Sequence, residues 1–126
     1  MAIDFDFAED PSRVEFAISG RVLAPEIHAA YRAARSHAGW VPGMRALWRV
    51  PASVDMSEID LEAIQRDVFP GVPALFEAWG KGFRSAWLFD GPSNATLFDL
   101  WTLMPGIEHT KRFDTEAEAL AWLGQA

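Results

Sequence analysis

Residues 112–124, RFDTEAEALAWLG, close the chain and decide its architecture. Arg112 and Phe113 end a strand. Thr115 followed three residues later by Glu118 forms a capping-box pattern, which predicts a helix start. Ala117, Leu120, Ala121, Trp122 and Leu123 supply apolar positions, and Gly124 stands where a helix stops. A helix this short is unstable in isolation. It must therefore dock on a sheet already formed, as a cover over an apolar face.

Working outward from that ending, the segment 107–113 alternates and carries many polar residues, which predicts an edge strand. Before it, Leu97, Leu100, Trp101 and Met104 recur at helical spacing after Ser93 or Asn94 as a cap. Pro105 and Gly106 end that helix. FRSAWLFD, residues 83–90, is almost continuously apolar, as a central parallel strand is. Upstream, Leu61, Ile64 and Val68 give a helical stripe. Asp55 with Glu58, and Ser57 with Asp60, both resemble capping boxes. PGVP at 70–73 predicts a break, followed by a further short helix from Pro73 to Gly82.

The N-terminal half completes the order. Residues 44–50, MRALWRV, read as a strand bounded by Gly and Pro. Pro25 opens a helix in which Ile27, Ala30, Tyr31, Ala34 and Ala38 form one face and Gly39 the stop. IDFDF at 3–7 alternates apolar and acidic residues, and with RVEFAISGRV after a Pro-containing turn it predicts an antiparallel hairpin. The whole chain reads as one α/β domain, residues 1–126. Its sheet is mixed and largely parallel, of about five strands with an N-terminal hairpin, under four or five helices.

Three landmarks resemble the SpoIIAA-like family of the STAS-like (anti-sigma factor antagonist) fold: ISGRVLAPEIHAAY, FRSAWLFDG and RFDTEAEALAWL. They span about residues 14 to 124. The resemblance implies a small, often dimeric α/β domain. Anti-sigma factor antagonists carry a phosphorylatable Ser in an Asp-Ser-x-Gly-like turn before the second helix. Here PASVDMSEID occupies that place; Ser53 and Ser57 are near, outside the motif, and no Gly follows.

The net charge is −7 and the chain has no Cys. Thiol catalysis and Cys-based metal sites are excluded. Nucleic acid wants a basic stripe; the densest basic group here is Arg32, Arg35 and His37, so no nucleic-acid partner is expected. The start MAIDFDFAED has no signal-peptide pattern, and no run of 18 apolar residues exists, so the expectation is a cytoplasmic protein without a membrane partner.

No phosphate loop, dinucleotide fingerprint or metal-ligand spacing is present, so no cofactor is expected. His28 and His37 read as residues on the solvent side of the first helix, and His109 as one on an edge strand. Glu58, Asp60 and Glu62 crowd a helix start, where the macrodipole favours them. Ser57 reads as a cap, or as a regulatory site if phosphorylated. Trp48, Trp87, Trp101 and Trp122 fall on apolar faces and read as core. Trp40 and Trp79 lie beside loops; if half exposed, they line a groove for a small apolar molecule or a protein partner, or an interface in a homodimer. These features predict a non-enzymatic binding or regulatory module. The rival readings are an enzyme with a carboxylate or His pocket, and an antagonist with a displaced Ser.

Overall fold

The computed structural model describes residues 2–80, 82–102 and 109–125. Five strands form one sheet in the order β1-β2-β3-β4-β5: Ile3–Ala8, Arg13–Ile18, Arg45–Val50, Ser85–Phe89 and Thr110–Phe113. β1 and β2 pair antiparallel; the other three pairings are parallel. The expected mixed sheet with an N-terminal hairpin is what forms. Its alternation is realised in the register, which sets Ile3, Phe5 and Phe7 opposite Ile18, Phe16 and Val14. In β4, Ser85, Ala86 and Trp87 are buried in succession. That strand has both faces covered.

Helix α1 spans Ala24–Arg35. Pro25 sits in its first turn, and the Glu26 carboxylate accepts the Leu23 N–H at 2.7 Å. The helix ends at Arg35, with Ser36 as its C-cap. The expected continuation to Ala38 and Gly39 is corrected: the chain turns back through backbone bonds from Ser36 and His37 N–H to the Arg32 and Ala34 carbonyls.

The predicted break at 70–73 is also corrected. Residues 61–79 form one helical path that changes pitch along its length. It opens as a short α turn, α2 (Leu61–Ala63). It then widens to a π segment over Ile64–Val68 and tightens to a 3₁₀ turn over Phe69–Gly71, before α3 (Val72–Trp79). Pro70 falls in the first positions of the 3₁₀ turn, where its missing N–H breaks no helical bond. Asp60 is the N-cap, accepting from the Ala63 N–H at 2.8 Å. Neither expected capping box forms; Asp55 instead accepts from both the N–H and the hydroxyl of Ser57, at 2.9 and 2.6 Å.

α4 (Pro92–Trp101) joins β4 to β5. Asn94 is inside it, its amide donating to the Val54 carbonyl at 2.9 Å. The readings placed on Met104, Pro105, Gly106 and Ile107, and on the side chains of Ser93, Leu100 and Trp101, lie outside the described residues.

α1, the 61–79 path and α4 all join the same sheet face to form the main core. Connections that advance strand by strand in one direction, with one handedness, have to lie on one side of the sheet. At the centre of that face, in-register Phe16, Trp48 and Trp87 stack across β2, β3 and β4. Their ring centroids are 4.3 and 4.4 Å apart. The opposite face is covered by α5 (Glu116–Leu123), whose Ala119 and Leu123 bury against Leu47, Ala86 and Phe113. The terminal helix is thus a cover, as its sequence predicts, and Thr115 Oγ1 accepts the Glu118 N–H at 3.3 Å. Its inward face differs from the expected one. Ala117 and Ala121 are exposed and Trp122 is half-buried. The Trp122 ring lies between Phe113 and the Arg84 guanidinium, at the border of the second core.

Candidate functional site

A cleft of about 550 Å³ opens between α1 and the 61–79 path. Its walls follow from the two helical faces. α1 contributes His28, Tyr31, Arg32 and Arg35; the opposite wall offers Gly71, Ala74, Leu75, Ala78 and Trp79. Small side chains at 74 and 78, one turn apart, leave room between the two walls and keep this one apolar.

Two polar atoms deep in the cleft, His28 Nε2 and the Tyr31 phenol oxygen, are already engaged. His28 is buried, which corrects its expected place on the solvent side of α1. Its Nε2 donates to the Val68 carbonyl at 2.6 Å. The carbonyl partner fixes which ring nitrogen carries the proton. Gly71 lies directly against this imidazole: a Cβ there would come within 2.9 Å of His28 Nε2.

Tyr31, beside it, is 5% exposed. Its phenol oxygen accepts from Trp48 Nε1 at 2.8 Å and shares a second hydrogen bond with Ser85 Oγ at 2.8 Å. Burial pushes the phenol up to about 12, against the opposing pull of the hydrogen bonds from Ser85 and Trp48. The group stays neutral and serves as a bolt between α1, β3 and β4.

Of the two tryptophans expected to line a groove, Trp79 is 1% exposed and Trp40 half-buried. They meet edge to face at 5.5 Å. Trp79 also packs against Tyr31 and Phe83. Trp79 therefore belongs to the core and touches the cleft only as part of its floor, which corrects the half-exposed reading for that residue. Trp40 Nε1 is buried and makes no hydrogen bond among the described residues.

The rim is basic. Arg32 and Arg35 are exposed on the last turn of α1, and the Arg35 guanidinium sits over the Trp40 ring at 5.7 Å. Asp67, on the facing wall, is held by the neighbouring Arg66, with Nη2 2.9 Å from its Oδ2. Composition had marked Arg32 and Arg35 as the densest basic group; that both stand on one cleft depends on the packing of α1 against residues far along the chain.

A second recess, of about 420 Å³, lies at the carboxyl ends of β4 and β5 and contains Asp90, Asp99, Arg112 and Asp114. Arg112 bridges Asp99 and Asp114 at 2.8 and 2.7 Å. The hydrogen bond to Asp99 is the main cause that holds this guanidinium above its ordinary range. The Arg112–Asp99 pair stitches α4 to β5.

Other sequence candidates lie apart from both recesses. Ser57 is exposed on the loop before α2, with its hydroxyl committed to Asp55. That pair of bonds from Ser57 draws the Asp55 carboxyl below the usual range. His37 is exposed at the far end of α1; its Nδ1 accepts the Gly39 N–H at 3.0 Å, and its ring lies on Phe7. His109 is exposed in the turn before β5, where its carbonyl accepts the Ser85 N–H. Among the described residues no helix is long and apolar enough to cross a membrane.

No protein-family model matches this chain, and no curated protein matches it. A solved structure does: an uncharacterised protein of the DUF3478 family with a SpoIIAA-like fold, from Shewanella loihica. The likeness covers 97% of this chain and 92% of that one, at 24% identity and a TM-score of 0.53. The chain has the SpoIIAA-like fold, as its three landmarks imply.

Proposed function

We propose that this domain is a non-enzymatic binding module whose cleft between α1 and α3 receives a small, largely apolar ligand. One observation carries the reading. The cleft combines an apolar lining with two deep polar atoms that are already paired inside the protein, His28 Nε2 to the Val68 carbonyl and the Tyr31 phenol to Trp48 and Ser85. A reacting group needs a free proton acceptor or donor turned towards its substrate; the Tyr31 phenol and His28 Nε2 are turned towards the fold. The volume falls within the range of small-molecule sites, and such sites are mostly apolar with few polar anchors.

Native mass spectrometry of the protein purified from its own host tests this. A small molecule retained by the wild type and lost in Ala74→Trp supports the reading, because position 74 is exposed and an indole there fills the cleft without entering the core. The same bare-chain mass for both proteins refutes it.

A further inference from the structure

We infer that the ligand of this cleft is an organic anion, an apolar body with one negatively charged head, and that Arg32 and Arg35 hold the head. The inference rests on the binding reading above and gives it a chemical class. Among the described residues, each of the other arginines donates to a carboxylate or a carbonyl. Arg13 bonds Glu15, Arg21 bonds Glu58, Arg49 bonds Glu15 and Glu116, Arg66 bonds Asp67, and Arg112 bonds Asp99 and Asp114. Arg45 and Arg84 donate to the carbonyls of Leu123 and Trp122. Arg32 and Arg35 alone make no such bond, and both line the same cleft.

Their setting sharpens the point. They are three residues apart on α1, so the two like charges stand on one face and repel each other. A chain with a net charge of −7 has ample carboxylates to neutralise them, yet the facing Asp67 is taken by Arg66. Basic residues in the last turn of a helix are favoured by its dipole. That accounts for their position on α1, and leaves unexplained why both open onto an apolar floor without a counter-ion. A carboxylate, sulfate or phosphate head seated between the guanidinium groups relieves the repulsion with charge-assisted hydrogen bonds. The apolar body then lies along Leu75 and Ala78. Arg35 is also steadied from behind by the Trp40 face, which limits the freedom it loses on binding.

Titration calorimetry with three eight-carbon probes, octanoate, 1-octanol and octylamine, separates head from body. Octanoate is expected to bind at least about tenfold more tightly than 1-octanol, the scale of a charge-assisted pair, with octylamine weakest. In the double variant Arg32→Gln/Arg35→Gln, octanoate is expected to fall to the level of 1-octanol, and 1-octanol to stay unchanged. Both positions are exposed, and circular dichroism confirms that the variant is folded. Equal binding of octanoate and 1-octanol by the wild type, or octanoate binding undiminished in the double variant, overturns the anion. If 1-octanol still binds and Ala74→Trp abolishes it, the cleft reading stands without the anion. If the folded protein binds none of the probes, both fall.

Discussion

Replacing Gly71 by Ala puts the contact between the two cleft walls under a direct test. At an ordinary helical position, Gly→Ala stabilises by roughly 0.5–1 kcal/mol, because glycine loses more backbone freedom on folding. Gly71 lies within the 61–79 path and has no left-handed backbone angle that would strain an alanine. The packing opposes the gain. The new Cβ would lie 2.9 Å from His28 Nε2, 3.2 Å from Cε1 and 3.3 Å from Cδ2. The imidazole cannot simply swing aside, since it is buried and its Nε2 donates to the Val68 carbonyl. Overpacking of this kind costs about 1–3 kcal/mol. The clash therefore outweighs the propensity, and Gly71→Ala is expected to destabilise by roughly 1–2 kcal/mol. Urea unfolding followed by tryptophan fluorescence reads this as a lower midpoint with an unchanged slope. In a His28→Ala background the sign should reverse, with Gly71→Ala gaining up to about 1 kcal/mol. A Gly71→Ala protein as stable as wild type, with His28 in place, would refute the reasoning.

Leu123→Ala removes a side chain that is 1% exposed on the inward face of α5 and should cost about 2–5 kcal/mol, whereas Trp122→Ala, at the border of the same core, should cost about 1–2; thermal unfolding that ranks the two in the opposite order contradicts the placement of this helix. Tyr31 is the single tyrosine, so phenolate absorbance reports it alone. Its folded pKa of about 12 lies above the ordinary 10, so its contribution to stability is complete below pH 10 and is lost as pH rises towards 12. Phenolate absorbance should accordingly stay absent at pH 10 and appear only with alkaline unfolding; a reversible titration near 10 in the folded protein shows that the ring is solvated.

The fold was legible because its signals are local. Alternation in β1, the apolar run in β4 and the Thr115 cap each declare an element without reference to the rest of the chain. What failed depended on contacts between distant segments. His28 looks like a solvent-side residue on a helical wheel until the 61–79 path packs beside it and supplies the Val68 carbonyl. Trp79 borders a glycine-rich loop, but Tyr31, Trp40 and Phe83 close around it. Pro70 and Gly71 carry the usual marks of a break, and the chain instead absorbs them by changing helical pitch. The candidate cleft was the least legible feature: its two walls lie some forty positions apart, as the bond from His28 to Val68 measures.

The stacked rings at the centre of the sheet have an optical consequence. The indoles of Trp48 and Trp87 lie 4.4 Å apart and within 5° of parallel, on adjacent strands. Transition dipoles held that close couple, and near-ultraviolet circular dichroism that changes on Trp87→Phe by more than one indole's share is the expected mark of this pair. The signal exists only while β3 and β4 are in register, and a slip of one residue would send one ring to the opposite face. The domain thus carries an intrinsic reporter of its central strand pairing, distinct from the fluorescence of the half-buried Trp40 beside the cleft and Trp122 on the terminal helix.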